Sequence, residues 1–409
     1  MAVTFRDPLW RFIATDLETN TTTWLDGRCF NRQVSVLLNR PRVFTGEVPS
    51  DDPEINRNYD APGTMFDDGP YVNEGDRLIY GFRREVQDEI TQMWTPRFAG
   101  ILLQVEDAAQ SDIARSRITA YDPWQYLYNR PIRNSSGDLP GSDGLSFDDT
   151  KANVIAASLL KWTIDTDGPC FIDAGTTWSG TSFFTGTLDD CPEIDINFQQ
   201  GMMVGEAWDE LVDLGLIDIV LEPIYDPDDR PGYCVQMNTY PLAGQSRPNA
   251  VFGWDKAPRS LVGVTSLYDG SERANSIQYY AGQGGPAVTL QEDSLSQARY
   301  GVYFAQRFFP GQNVAAGVVA LAQQELALRK NGQHTVTISP APVRAPSPFT
   351  EYDIGDTVPI YSSNALRKAL TGEQRIYGIP VEISDDALET VRSLLASPPR
   401  SDRIPCLSS

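Results

Sequence analysis

One short pattern occurs twice in this chain, once near each end, and a duplication constrains a fold more than any single motif. The first copy runs Gly75-Asp76-Arg77-Leu78-Ile79-Tyr80 and continues at Phe98-Ala99-Gly100-Ile101, ending Gln104-Val105-Glu106-Asp107-Ala108-Ala109. The second runs Gly355-Asp356-Thr357-Val358-Pro359-Ile360-Tyr361 and continues at Ile376-Tyr377-Gly378-Ile379, ending Glu382-Ile383-Ser384-Asp385-Asp386-Ala387. The paired glycines stand 25 residues apart in the first copy and 23 in the second. Two readings are open. Any strand–turn–strand unit shares Gly-Asp and alternating apolar residues, so such patterns recur without common origin. Alternatively the chain holds a duplicated β-barrel, one copy near each end.

The rest of the chain surrounds these segments with further β signals. Arg11–Thr15 and Thr22–Leu25 alternate as strands, and Asp26-Gly27 is a two-residue hairpin turn leading into Cys29–Leu38. Residues 49–76 read as loop. Strands are expected at Leu78–Arg83, Phe98–Val105 and Ile118–Ala120. Asp122-Pro123 then opens a helical turn at Trp124–Tyr128, with Asp as N-cap and Pro at the first helical position. Residues 131–147, rich in Gly, Ser, Asp and Pro, read as a boundary. Beyond it, Asp148-Asp149-Thr150 is expected to cap a helix carrying Ile155, Leu159 and Trp162 on one face. A second helix covers Val204–Leu214 with Gly215 just past its end, followed by strands Ile217–Tyr225 and Tyr233–Tyr240. Strands Leu261–Leu267, Ser276–Tyr280 and Thr335–Ser339 flank a helix over Gln312–Arg329, and residues from Pro398 form a polar tail.

Charge and chemistry exclude several functions. The net charge of −22 repels phosphate backbones and argues against nucleic-acid binding through a basic patch, though not against a conduit that DNA crosses without adhering. Arg6, Asp7 and Arg11 interrupt the place where an export signal would be apolar, so the chain is expected to fold in a cytosol. Cys29, Cys170, Cys191, Cys234 and Cys406 are scattered and read as reduced thiols, with a Cys170–Cys191 bridge left open. His334 is the one histidine, which removes two-histidine zinc motifs; it reads as a solvated loop residue at a strand start. No nucleophile elbow supplies a serine for it. Gly282-Gln283-Gly284-Gly285-Pro286 reads as a surface loop, because no helix follows to face phosphates. Asp226, Asp228 and Asp229 suggest calcium, but Met237 stands where a calcium loop needs its glutamate, and a hairpin tip explains them better. Asp51-Asp52 and Asp67-Asp68 read as solvated faces. Tyr121, Trp124, Tyr126 and Tyr128 form the densest aromatic cluster and fit core packing or a protein interface better than sugar stacking. The expectation is therefore no enzyme, with no catalytic, cofactor or metal residue.

Several stretches, in order along the chain, carry a resemblance. They are Asn39-Arg40-Pro41 with Phe44-Thr45-Gly46-Glu47-Val48-Pro49; Gly75-Asp76-Arg77 with Phe98-Ala99-Gly100-Ile101; and Ile118–Arg130. Further along come the helix Val314–Arg329 with Thr335–Ile338, then Tyr352–Pro359 with Arg375–Ile379. Together they resemble the tail-hub (baseplate hub) family of long-tailed phages, and most closely the minor tail proteins of actinobacterial phages. The resemblance implies a mainly β, α+β fold: two related β-barrel domains, a mixed α/β middle domain and a small helical accessory domain. The expected limits are 1–130 for the first barrel, 131–250 for the middle, 251–275 with 335–397 for the second barrel, 276–334 for the accessory domain and 398–409 for the tail. It implies a homotrimeric structural protein of the virion, assembled in the host cytoplasm, that closes the tail tube. That protein would adapt six-fold to three-fold symmetry and line the DNA exit channel. Its partners would be a distal tail protein or the tail tube, a tape measure protein and receptor-binding fibre or tip proteins, with no membrane and with DNA only as passing cargo. The alternatives are a tail-associated cell-wall hydrolase and a carbohydrate-binding adhesin.

Overall fold

The computed structural model describes residues 9–16, 22–26, 28–49, 77–86, 92–110, 113–168, 172–173, 191–225, 234–255, 259–271, 273–281, 287–309, 315–342, 344–363, 369–384 and 389–397. The chain opens with strands β1 (Trp10–Asp16), β2 (Thr22–Trp24), β3 (Phe30–Leu37), β4 (Val43–Pro49), β5 (Arg77–Val86), β6 (Gln92–Gln110) and β7 (Ile113–Tyr121). A mixed region follows: α1 (Pro123–Leu127), β8 (Leu145–Lys151), α2 (Ala152–Asp167), β9 (Ile172–Asp173), β10 (Glu193–Phe198), α3 (Val204–Asp213), β11 (Asp218–Pro223) and β12 (Val235–Tyr240). Then come β13 (Phe252–Gly253), β14 (Leu261–Asp269), β15 (Ser276–Ala281), β16 (Ala287–Glu292), α4 (Ser294–Tyr300), β17 (Phe304–Phe309) and α5 (Ala315–Arg329). The last are β18 (Gln333–Pro340), β19 (Thr357–Ser362), β20 (Leu370–Ile383), β21 (Glu389–Val391) and β22 (Leu394–Ser397). The α+β, mainly β expectation is met.

The strands from both ends join one 14-stranded sheet, whose path is β14-β18-β22-β20-β3-β4-β7-β6-β5-β1-β2 with β13, β19 and β21 attached beside β20. Among the described residues no ladder closes either strand unit into a barrel. The C-terminal strands do curl back on themselves, because Ser260 N donates to Gly253 O and Gly253 N donates to Ser260 Oγ. The seam between the two units is β20. Its residues 370–375 pair with β19, and Gly378–Ile383 pair antiparallel with Leu37–Arg32 of β3. One strand therefore belongs to both halves.

Alternation decides which core each side chain enters. On β1, Trp10, Phe12 and Ala14 enter a core shared by the two strand units, whereas Ile13 points to the opposite face. On β5, Ile79 joins the shared core while Leu78, Tyr80 and Phe82 face the mixed region. These strands are buried on both faces, which is why they read as near-continuous apolar runs. The outer face meets α1, α2 and α3 through Trp124, Ile155, Leu159, Trp208 and Leu211. Trp124 and Trp208 stack edge to face at 5.2 Å, and Trp208 Nε1 donates to Ala156 O.

Local sequence signals and the structure agree at some places and part at others. Asp122 accepts a hydrogen bond from Trp124 N with Pro123 opening α1, as expected. Gly215 and Gly332 adopt the positive φ that ends a helix. Asp148-Asp149-Thr150, expected to cap α2, instead lies in β8, and α2 starts after Lys151 with no side-chain cap. Asp149 N donates to Asp195 Oδ1 on β10, so a strand partner claims the segment that a helix cap would have used. The accessory region is not only helical: β16, β15 and β17 form a three-stranded sheet against α5. It sits beyond the two-stranded arm β14–β18, whose far register is Asp269 opposite Gln333.

The repeated pattern yields two antiparallel hairpins, β5–β6 and β19–β20, with different registers. Gly100 faces Ile79 inside the first hairpin. Gly378 lies past the end of β19 and faces Leu37 of β3. Both glycines nonetheless do similar steric work. A Cβ on Gly100 would come 2.5 Å from Tyr121 O, and one on Gly378 would come 2.8 Å from Leu37 Cδ2.

Candidate functional site

A buried polar cluster lies where the two strand units and the mixed region meet. Arg375, on β20, is 1% exposed, and its Nη2 donates to Asp218 Oδ2 on β11 at 2.7 Å and to Ala243 O at 2.8 Å. Its Nε donates to Gly355 O. Asp218 also accepts from Asn39 Nδ2, just after β3, and from Ala243 N. Asn39 closes the loop by accepting from Ile219 N through its side-chain oxygen. One carboxylate and one guanidinium thus bind together residues 39, 218, 243, 355 and 375.

The Gly355-Asp356 pair gains a physical meaning here. Gly355 and Gly244 both have positive φ, and their backbones touch: a Cβ on Gly244 would collide with the Gly355 carbonyl. Only glycine allows both the dihedral and the approach. Asp356 then accepts from Gln245 N, Arg247 Nε and Asp353 N. The segment 243–247 is held to the second repeat by this glycine contact, by the Asp356 carboxylate, by Arg375 at Ala243 O and by backbone hydrogen bonds of Gln245 and Arg247 with Thr357.

Beside this junction lies a cavity of about 480 Å³, bounded by β3 and β6, by β11 and by the 349–356 turn. Arg42, Arg97, Arg247, Glu222, Asp353 and Asp356 line it among apolar side chains. Arg97 donates to Glu85, Asp353 and Phe349 O, and Arg247 pairs with Asp356. Burial pushes the Asp353 carboxyl above its ordinary range. Arg42 is the most deeply buried of the three, at 6% exposed, against half-buried Arg97 and Arg247. Burial lowers its pKa, and the neighbouring Asp122 is pushed up to about 7 by burial.

The other residues singled out by sequence do not converge on this place. His334 is not a loop residue: it sits on β18, stacked on Tyr268 at 4.0 Å, with Nε2 2.8 Å from Ser266 Oγ. This serine–histidine contact lies on the two-stranded arm. Trp124 is buried core, Tyr128 donates to Asp209, and Tyr126 accepts from Arg130, so the aromatic cluster serves packing. Asp51, Asp52, Asp67, Asp68, Asp226, Asp228, Asp229, residues 282–286, Cys170 and Cys406 lie outside the described residues. Cys29, Cys191 and Cys234 are buried, and burial pushes the Cys29 thiol up to about 12, far from the thiolate a reaction needs. Among the described residues no group of three or more His, Cys, Asp or Glu is placed to hold a metal, and no helix is long and apolar enough to cross a membrane.

The sequence points to Gly355-Asp356 but gives no hint that Asn39, Asp218 and Arg375 belong to one cluster. No spacing signal links positions so far apart in the chain.

The fold is shared with solved phage tail proteins along almost the whole chain. The tail protein from Neisseria meningitidis MC58 matches 95% of this chain and 96% of its own, with a TM-score of 0.56 at 11% identity. The prophage MuSo2 43 kDa tail protein from Shewanella oneidensis matches 97% of this chain and 100% of its own, with a TM-score of 0.56 at 14% identity. The prophage tail protein gp18 from Listeria monocytogenes EGD-e covers 96% and 95%, with a TM-score of 0.50 at 10% identity. No protein-family model and no curated protein matches the sequence.

Proposed function

We propose that this chain is a non-enzymatic structural protein of a phage tail, the subunit of a trimeric hub at the distal end of the tail tube. The observation that carries this reading is the single sheet in which two strand units lie side by side, joined through β3 and β20. Three chains so built offer six β units, which matches a six-fold tube above while keeping three-fold symmetry for the mixed and accessory regions below. The whole-length likeness to tail proteins supports the same reading. In it, residues 1–130 and the units 251–275 and 335–397 form the ring around a DNA exit channel, and 131–250 and 276–334 lie off it. The partners are the tube or a distal tail protein, a tape measure protein and receptor-binding fibres. Actinobacterial phages remain the source the sequence points to.

The test is the mass of the purified chain by light scattering, together with an electron-microscopic class average. A trimer with a central hole is expected. A monomer at tens of micromolar, or a closed disc, would overturn the reading.

A further inference from the structure

We infer that a smaller cavity, between β6 and α1, binds one neutral sugar ring. This goes beyond the hub reading and does not depend on it.

The site starts from an irregularity in a strand. The β6–β7 register shifts between Leu102 and Gln104, which inserts Leu103 as a bulge. Ile101 and Leu103 pack on the core that holds α1, whereas Leu102 and Val105 pack on the shared core. Strict alternation would send Val105 with Leu103, so the bulge sets Leu103 and Gln104 side by side on the α1 face. The opposite wall is α1. Trp124 is buried and Asp122 caps the turn, which fixes α1 against the sheet. Gln125 and Asn129, four residues apart, then share a face. With Tyr121 and Tyr126 these residues bound a cavity of about 240 Å³.

The lining selects the ligand. Gln104 and Asn129 are exposed and Gln125 is half-buried, so three amides reach solvent. Each amide carries donors and an acceptor, and a sugar hydroxyl likewise both donates and accepts. Tyr126 is held in place: Arg130 lies 4.7 Å from its ring centre and donates to its hydroxyl at 2.7 Å. A ring fixed in that way offers a rigid apolar wall for the C–H surface of a sugar. Among the described residues no charged side chain lines the cavity, and the chain as a whole carries a charge of −22. An anionic ligand therefore meets repulsion with no cation in the lining to receive it, and a cationic one meets no carboxylate there. The volume falls below the roughly 300–1,000 Å³ of drug-sized pockets, which suits one ring rather than a chain of them.

The experiment is saturation-transfer-difference NMR on the full chain, titrated with methyl α-D-glucopyranoside, methyl α-D-galactopyranoside and N-acetyl-D-glucosamine. Glucuronate is the charged control and N-acetylglycine methylamide the peptide mimic. Saturable transfer to the ring C–H protons of at least one neutral sugar is expected, with both controls bound more weakly by roughly fivefold or more. Gln104→Ala and Asn129→Ala, both at exposed positions, should each weaken that sugar by roughly fivefold through the loss of one amide. Tyr126→Ala should abolish binding, and the two exposed variants decide the matter if it fails to fold. No saturation by any of the sugars, a control that binds as tightly, or an unchanged affinity in Gln104→Ala and Asn129→Ala would overturn the proposal.

Discussion

Arg375 and Asp218 form an ion pair whose side chains are each 1% exposed, and it ties β20 to the mixed region at the junction. Removing one member of a buried pair strands the other charge in a low-dielectric interior, which costs about 3–5 kcal/mol. Arg375→Met and Asp218→Asn should each lower unfolding stability by about that amount in denaturant titration. Their double variant should lose clearly less than the two single losses combined, because no stranded charge remains. Additive losses would show that the pair is not coupled. Glu210 on α3 offers a titration test. Burial pushes its carboxyl from 4.5 up to about 7. The folded chain holds this proton more tightly than the unfolded chain, so the contribution is complete below about pH 4.5 and is lost as pH rises through 7. Glu210→Gln should match the parent near pH 4 and exceed it by about 3 kcal/mol at pH 8. A difference independent of pH would contradict this.

Strands and helices differ in how well the sequence announces them. The Gly100 and Gly378 positions give a graded prediction at this scale. An alanine at 100 meets the rigid Tyr121 carbonyl across the β6–β7 ladder, whereas one at 378 meets the movable end of Leu37. Gly100→Ala should cost about 2 kcal/mol or more and Gly378→Ala about 1 kcal/mol, read as thermal midpoints. Equal losses would count against the steric account. Elements with a strong local code are legible in the amino-acid sequence alone: α1 through Asp122-Pro123, α3 through its apolar face and Gly215, and α5 through its alanines. The sequence predicts β6 over Phe98–Val105, but the strand spans Gln92–Gln110, because its flanks pair with β5 and β7 beyond the buried stretch. β16 and β17 carry no such signal; their exposed Leu290 and Phe304 break the alternation that marks a half-buried strand. The junction is legible only through Gly355-Asp356, since its other members are brought together by long-range pairing.

At the scale of the whole molecule, the two ends of the sheet are open among the described residues. Among the described residues β14 and β2 each have one strand neighbour, and both carry exposed apolar side chains: Val262, Leu267 and Tyr268 on β14, Trp24 on β2. Long apolar edges invite pairing with another chain. Under the hub reading these edges are subunit contacts. Val262→Lys with Leu267→Lys should then shift the trimer to smaller species in light scattering while leaving far-ultraviolet circular dichroism unchanged. A trimer that survives both changes would place its contacts elsewhere. The shared strand β20 has one more consequence, set by the order in which a ribosome makes the chain. Residues 32–37 are made about 340 residues before their ladder partners, residues 378–383. At about 5–20 residues per second, β3 waits roughly 20–70 s with one edge bare. Nascent chains arrested before residue 370 should therefore be protease-sensitive along β3, and emergence of residues 378–383 should protect it.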